Sequence, residues 1–249
     1  MTTTPPVSVL ARAVSIVRLF DTEHSVLGVS DVARGTGLAK PTVHRMLGEL
    51  ADLRILERVG TRYRLGLFLF ELGALVPENH TVASIARPVM NDLRETTKGR
   101  IHLAVLDGTQ VVYVEIVGDT KAAIASRVGG RLAAHATGVG KVILAHSPPA
   151  VIDAVIATGL PRYTPRTLHT PGALLRELAE IRTEGQGYDR EESHLGISCV
   201  AAPVIDPAGQ IVAGLSITGP TRMIDPHVMG LAVRTAARTI GRQVRSSMS

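Results

Sequence analysis

Between residues 40 and 45 the chain sets a lysine, a threonine, a histidine and an arginine within two helical turns: Lys40, Thr42, His44 and Arg45, with Pro41 at a position suited to a first turn. Donors strung along the outer side of a short helix suit a DNA major groove. Thr42, His44 and Arg45 are candidates for base edges, and Lys40 for a base or a phosphate. Arg54, Arg58, Arg62 and Arg64 follow, with Glu57 the only acid among them. Arg62 stands just after Gly60-Thr61 and suits a minor groove or a phosphate, contacts that position a protein without reading much sequence. A second group lies far along the chain. Gly138-Val139-Gly140-Lys141 invites a phosphate-loop reading, but His135 and Val142 stand where that motif needs a glycine and a hydroxyl, so the match fails. Cys199 with His194, or with Asp189 and His135, has the residue types of a thiol enzyme or a metal site without the spacing of either. No Gly-x-Ser-x-Gly elbow is present. The expectation is a binding protein that is not an enzyme and uses no cofactor and no metal. A metal-responsive regulator using Cys199 and histidines is the alternative.

The elements that must position these groups are legible from periodicity. Val9, Ala13, Ile16, Val17 and Phe20 recur at helical spacing behind Ser8, a candidate N-cap. Ser30-Asp31 opens a second helix that stops at Gly35-Thr36-Gly37. A third starts after Ala39 and turns Val43, Met46, Leu47 and Leu50 inward, with Leu38 plugging the corner between the two. Residues 55–59 and 62–65 flank Gly60-Thr61 as a hairpin. Helix, turn, helix and basic hairpin together make a winged helix-turn-helix over residues 1–66. Residues 67–76 are apolar nearly all round, which predicts a buried helix. They read as a linker helix over 67–78 that also serves as a dimer contact. From 79 to 249 the pattern is mixed. A helix runs to Lys98, kinked or restarted at Pro88. Strands are expected at 101–107, 111–116, 122–128, 198–205 and 211–218, and helices at 138–146, 150–157, 171–184 and 226–246. Hairpins with helices between them predict an α+β domain built on an antiparallel sheet.

Composition bounds the rest. The chain has 249 residues, is 45% apolar and carries one cysteine, which excludes an intramolecular disulfide framework and points to a reducing compartment. No apolar run reaches membrane-spanning length, and Met1 to Pro6 lack the order of a signal peptide, so a cytoplasmic protein with no membrane partner is expected. Residues 1–66 hold nine Lys/Arg against six acids, while the other 183 hold eighteen against sixteen. Basic density is therefore highest where the nucleic-acid element is read.

The order Arg12-Ala13-Val14, Val32-Ala33, Thr42-Val43-His44-Arg45-Met46-Leu47 and Tyr63-Arg64-Leu65-Gly66 resembles the IclR family of bacterial transcription regulators. So do His135-Ala136-Thr137-Gly138-Val139-Gly140-Lys141, Glu191-Glu192, the run from Gly196 to Val204, and Ser216-Ile217-Thr218-Gly219-Pro220. The resemblance implies a winged helix-turn-helix joined by a linker helix to a GAF-like effector domain. It also implies homodimers or homotetramers on palindromic double-stranded operators, released or recruited by a small-molecule effector, commonly a small carboxylate. By similarity Gly138, Val139, Asp189, Ile197, Cys199, Ser216 and Thr218 line the effector cavity. The chemistry fits: N–H groups at the start of the Gly138 helix favour a carboxylate, and Ser216 and Thr218 alternate onto one face of a strand. Asp189 suits an anion only if protonated, holding a loop, or accepting a ligand hydroxyl. His135 reads as a brace, and Glu191 and Glu192 as loop anchors. Ala133 and Ala134 replace the proline and bulky apolar residue usual before the histidine, which leaves ligand size open.

Overall fold

The computed structural model describes residues 8–21, 23–118 and 126–244, with only the backbone for 77–81. The chain divides into two compact units, Met1–Pro77 and Glu78–Ser249.

In the first unit, α1 (Val9–Val17) opens at Ser8, whose hydroxyl accepts the Ala11 N–H at 3.1 Å. Helix α2 (Val29–Thr36) begins two residues earlier than the sequence reading. Asp31 is not at its cap but reaches back from the first turn to the Gly28 N–H at 3.0 Å, doing a cap's work from inside the helix. It ends at Gly37, whose φ of +71° costs a glycine nothing and turns the chain sharply into α3 (Lys40–Asp52). Val43, Met46, Leu47 and Leu50 of α3 are buried against Ile16, Val32 and Leu38. Each large aliphatic side chain so buried contributes ~1.5–3 kcal/mol. β1 (Leu56–Val59) and β2 (Arg62–Leu65) pair antiparallel, and Leu27 bridges to Tyr63, tying the hairpin to the segment before α2. The apolar stretch that follows is not buried within its own unit. α4 (Leu67–Gly73) has no buried residue, and Phe70 is 73% exposed. Phe68 lies under the Arg54 guanidinium, and the core of the three helices contains no α4 side chain. The helix also stops at Gly73, and α5 (Pro77–Thr97) begins inside the range read as one linker helix. α5 runs through Pro88 without restarting.

The second unit is a six-stranded antiparallel sheet in the order β5-β4-β3-β8-β7-β6. Its long strands are β3 (Arg100–Asp107), β4 (Gln110–Val117), β7 (Ile197–Ile205) and β8 (Ile211–Pro220). The edges are β5 (Arg131–Ala133) and β6 (Gly187–Arg190). Alternation splits the sheet into two faces. Ile101, Leu103, Val200, Ala202, Leu215 and Ile217 pack with α5 and α9 (Pro226–Gln243). Ala104, Tyr113 and Ala201 face α6 (Gly138–Ala145), α7 (Pro149–Ala157) and α8 (Pro171–Glu184). Of the strand expected at 122–128, residues 122–125 lie outside the described residues and 126–128 are not in a strand. The edge of β4 is instead met by Gly129 and Gly130, which bond to Tyr113, and then by β5.

Candidate functional site

Two places in the chain gather the residues singled out above. On the first unit, α3 buries its apolar seam and leaves Lys40, Pro41, His44 and Arg45 exposed, with Thr42 half-buried. Arg45 lies 3.2 Å from Glu49 one turn on, an exposed pair that a phosphate can displace at little cost. The Arg58 guanidinium lies 5.8 Å from the centre of the Tyr63 ring, a cation–π contact that keeps it over the hairpin. Arg62, read as a minor-groove or phosphate contact, has partners within its own unit. Its Nη2 donates to Asp31 at 2.9 Å and to the Val26 carbonyl at 3.1 Å, bracing the hairpin against α2.

On the second unit, a cavity lies between the sheet and α6. Val139, Asp189, Ile197, Cys199, Ser216 and Thr218 line it. Gly138 is not in the wall but lies directly behind it. A Cβ there would come within 2.5 Å of the Cys199 sulfur, so only glycine lets α6 pack this close to β7. Sequence reasoning missed His102, Tyr113, Ser126, Leu132, Thr137, Ser193 and His194. For His102 a signal existed: the alternation of β3 puts it on the face of Ala104, opposite Ser216. The cavity admits the centre of a water-sized sphere over about 40 Å³, room for a few waters or a small organic molecule once side chains adjust.

The polar groups of this cavity are ordered by burial. His102 bonds through Nδ1 to Thr218 Oγ1 at 3.0 Å and through Nε2 to Ser126 Oγ at 2.8 Å. Burial, with Arg100 nearby, pushes its pKa down to about 3, so the ring is neutral. Burial also lifts the Tyr113 hydroxyl far above its usual range and the Cys199 thiol to about 12. Cys199 receives the backbone N–H groups of Gly138 and Asp189, yet it remains a protonated thiol, unlike a nucleophile or a metal ligand. Asp189 takes the loop-holding role among those open to it. It accepts the Glu192 N–H at 2.6 Å and the Ser193 hydroxyl at 2.5 Å, while burial raises its pKa. Among the described residues no three His, Cys, Asp or Glu side chains are grouped to hold a metal ion, so the alternative metal reading lacks a ligand set.

The start of α6 is more occupied than the sequence indicated. Thr137 Oγ1 accepts the Gly140 N–H at 3.1 Å, and the Thr137 carbonyl accepts that of Lys141. Lys141, fully buried, holds Glu192 at 2.6 and 2.8 Å and Glu177 at 3.0 Å. The lysine that mimicked a phosphate loop is thus the pin between α6, α8 and the loop after β6. His135 braces the segment after α7, bonding the Pro161 carbonyl at 3.0 Å.

Comparison with known proteins bears on both places. Residues 9–60 match the family described as the IclR helix-turn-helix domain, and residues 74–242 match the bacterial transcriptional regulator IclR C-terminal family. The chain is 34% identical over 225 residues to the HTH-type transcriptional regulator XynR of Escherichia coli, covering 89% of each. It is 30% identical over 244 residues to the HTH-type transcriptional repressor AllR of Klebsiella pneumoniae, covering 93% of this chain and 88% of that one. An IclR homologue from Microbacterium hydrocarbonoxydans, solved in complex with 4-hydroxybenzoate, superposes with a TM-score of 0.87 at 30% identity. That match covers 96% of this chain and all of the other. With both segments matched in order, the chain belongs to the IclR family of bacterial transcriptional regulators.

Proposed function

We propose that this protein binds a double-stranded operator through α3 and the hairpin, as a homodimer or homotetramer, and that a small carboxylate in the cavity of the second unit sets its operator affinity. In this reading residues 1–66 are the DNA-binding domain, 67–78 the linker and 79–249 the effector domain. The observation that carries it is the division of α3 into a buried apolar seam and an outer row of Lys40, Thr42, His44 and Arg45. Such a helix presents donors to base edges while its core fixes their register. Arg58 and Arg62 supply phosphate contacts. The exposed apolar side of α4 meets its counterpart in the partner subunit. Two copies of α3 then enter successive major grooves of a palindrome. The similar Microbacterium protein holds 4-hydroxybenzoate, an acid of the proposed effector class. Among the described residues no helix is long and apolar enough to cross a membrane, and the protein works in the cytoplasm, by binding and not by turnover.

The test is fluorescence anisotropy on DNA from beside its own gene, at several salt concentrations. Arg45→Ala is expected to weaken binding about 5–150-fold with the fold intact. Parent-like affinity in that variant removes Arg45 from the interface, and no binding by the parent to any such fragment removes the regulator reading.

A further inference from the structure

One buried cation in the second unit has no anion among the described residues. Arg100 opens β3, and its register partner is Thr218, as His102's is Ser216. Residues 100, 102 and 104 share the face of the sheet that looks towards α6, so the Arg100 side chain rises on the cavity side. It is 7% exposed. Nη2 donates to the Ser126 carbonyl at 2.9 Å, and the Ser126 hydroxyl in turn bonds His102. Nε and Nη1 are buried and have no hydrogen-bond partner among the described residues. Among the described residues no carboxylate offsets the charge there, and burial holds the neighbouring Tyr113 hydroxyl neutral. Lys141, fully buried, is held by two glutamates. A protein that keeps one buried cation paired and leaves another open has either a costly defect or a ligand for the second.

The surroundings favour a ligand. Beside Arg100 a recess of about 170 Å³ is walled by Arg94, Lys98, Arg100, Thr218, Ile224 and Met229, with α5 and α9 contributing to it. Thr218 stands in the wall of this recess and of the effector cavity alike. At the opposite end, the N–H groups that α6 offers an anion are largely taken: Gly138's by Cys199, Gly140's by Thr137 Oγ1 and Lys141's by the Thr137 carbonyl. The anionic end of a ligand therefore meets open donors at Arg100 and mostly occupied ones at α6.

We propose that Arg100 is the anion anchor of the sensing cavity, receiving the effector's carboxylate beside Thr218, with the remainder of the ligand extending past His102 and Ser216. The second Nη2 hydrogen, paired with Nε or with Nη1, forms the two-pronged fork that matches a carboxylate. This rests on the ligand-sensing reading above and adds the residue that makes the site prefer an acid to its amide.

The experiment measures thermal shifts of the full chain, at constant ionic strength, with acetate, lactate and benzoate against acetamide, lactamide and benzamide. The parent is expected to respond to at least one acid and not to its amide. Arg100→Gln, freed of a buried unpaired charge, is expected to melt no lower than the parent without ligand, and to bind the responding acid on the order of 10–100-fold more weakly. Arg100→Lys keeps the charge without the fork and falls between the two. Undiminished acid binding in Arg100→Gln overturns the assignment, as does a parent that no acid stabilises. Ligand-free melting well below the parent's in both variants marks a structural arginine and also overturns it. Operator binding by the same parent preparation, measured without additives, decides the regulator reading separately.

Discussion

The outer face of α3 and the cavity under α6 use the same residue types in opposite ways. On α3 and the hairpin, cations pair with acids at the surface: Arg45 with Glu49, Arg62 with Asp31, Arg64 with Glu57. All six side chains are at least a third exposed, so each pair is screened by water and salt and exchanges its partner readily. In the second unit Lys141, Glu192, Asp189 and His102 are buried, and each has a fixed partner. There a broken pair leaves a charge or a dipole without water. The first arrangement suits a surface that must trade protein partners for phosphates. The second suits a cavity whose groups must already be in place when a ligand arrives.

The comparison predicts the largest effect at Lys141. Lys141→Met leaves Glu192 and Glu177 facing an apolar end, and Glu192's pKa is already raised by burial. Breaking a buried pair from one side costs ~3–5 kcal/mol, and chemical denaturation of the second unit should show a loss of that size. Lys141→Met combined with Glu192→Gln should recover part of it, because the stranded charge is gone. A loss under about 1 kcal/mol, the range of surface pairs, would erase the contrast between the two regions.

A second measurement sharpens it through pH. His102 has a folded-state pKa of about 3 against an ordinary 6.5, so the unfolded chain binds the proton first. The stability this group contributes is complete above pH 6.5 and is lost as pH falls from there towards 3, at up to ~1.4 kcal/mol per pH unit. Between pH 7 and 5 the loss is about 2 kcal/mol. Asp189 and Glu192, whose pKa values burial raises, act in the other direction as the acid limb is approached. The readout is therefore the parent's loss minus that of His102→Gln. Equal pH slopes in the two proteins would show that the ring is not held neutral.

The two regions also differed in how far the sequence disclosed them. The start and the buried seam of α3 were legible, because a 3.6-residue period and the flanking Ala39 and Pro41 are local signals. The long strands β3, β7 and β8 were placed within two residues of their ends by apolar runs and turns. β5 and β6 were not, since three or four residues with charged members at a sheet edge carry no alternation to read. In the cavity, Asp189, Cys199, Ser216 and Thr218 were found through motif order. His102 and Tyr113 come together through the pairing of β3 with β4, and Ser126 joins them from a segment outside the strands. Arg100 was invisible for the same reason: the absence of a partner is a property of the folded neighbourhood. At α4 apolarity predicts burial, and the surface that provides it is not in the core of the first unit.

The smallest predicted effect tests the boundary between the two behaviours. Arg62 is the surface cation most committed within its own unit, donating to both Asp31 and the Val26 carbonyl. Asp31, whose carboxyl is held below its usual range first by the Gly28 N–H and then by Arg62, gains from that contact. If Arg62 trades these partners for a phosphate on DNA, Arg62→Ala releases one fewer counterion. The slope of log affinity against log salt then shrinks by about 0.9, while the change in melting temperature stays small. If Arg62 only braces the hairpin, the slope is unchanged and affinity falls equally at every salt concentration. Asp31→Asn separates the cases further. It loosens the brace and leaves the arginine free, so it is expected to lower stability slightly while keeping the parent's salt slope.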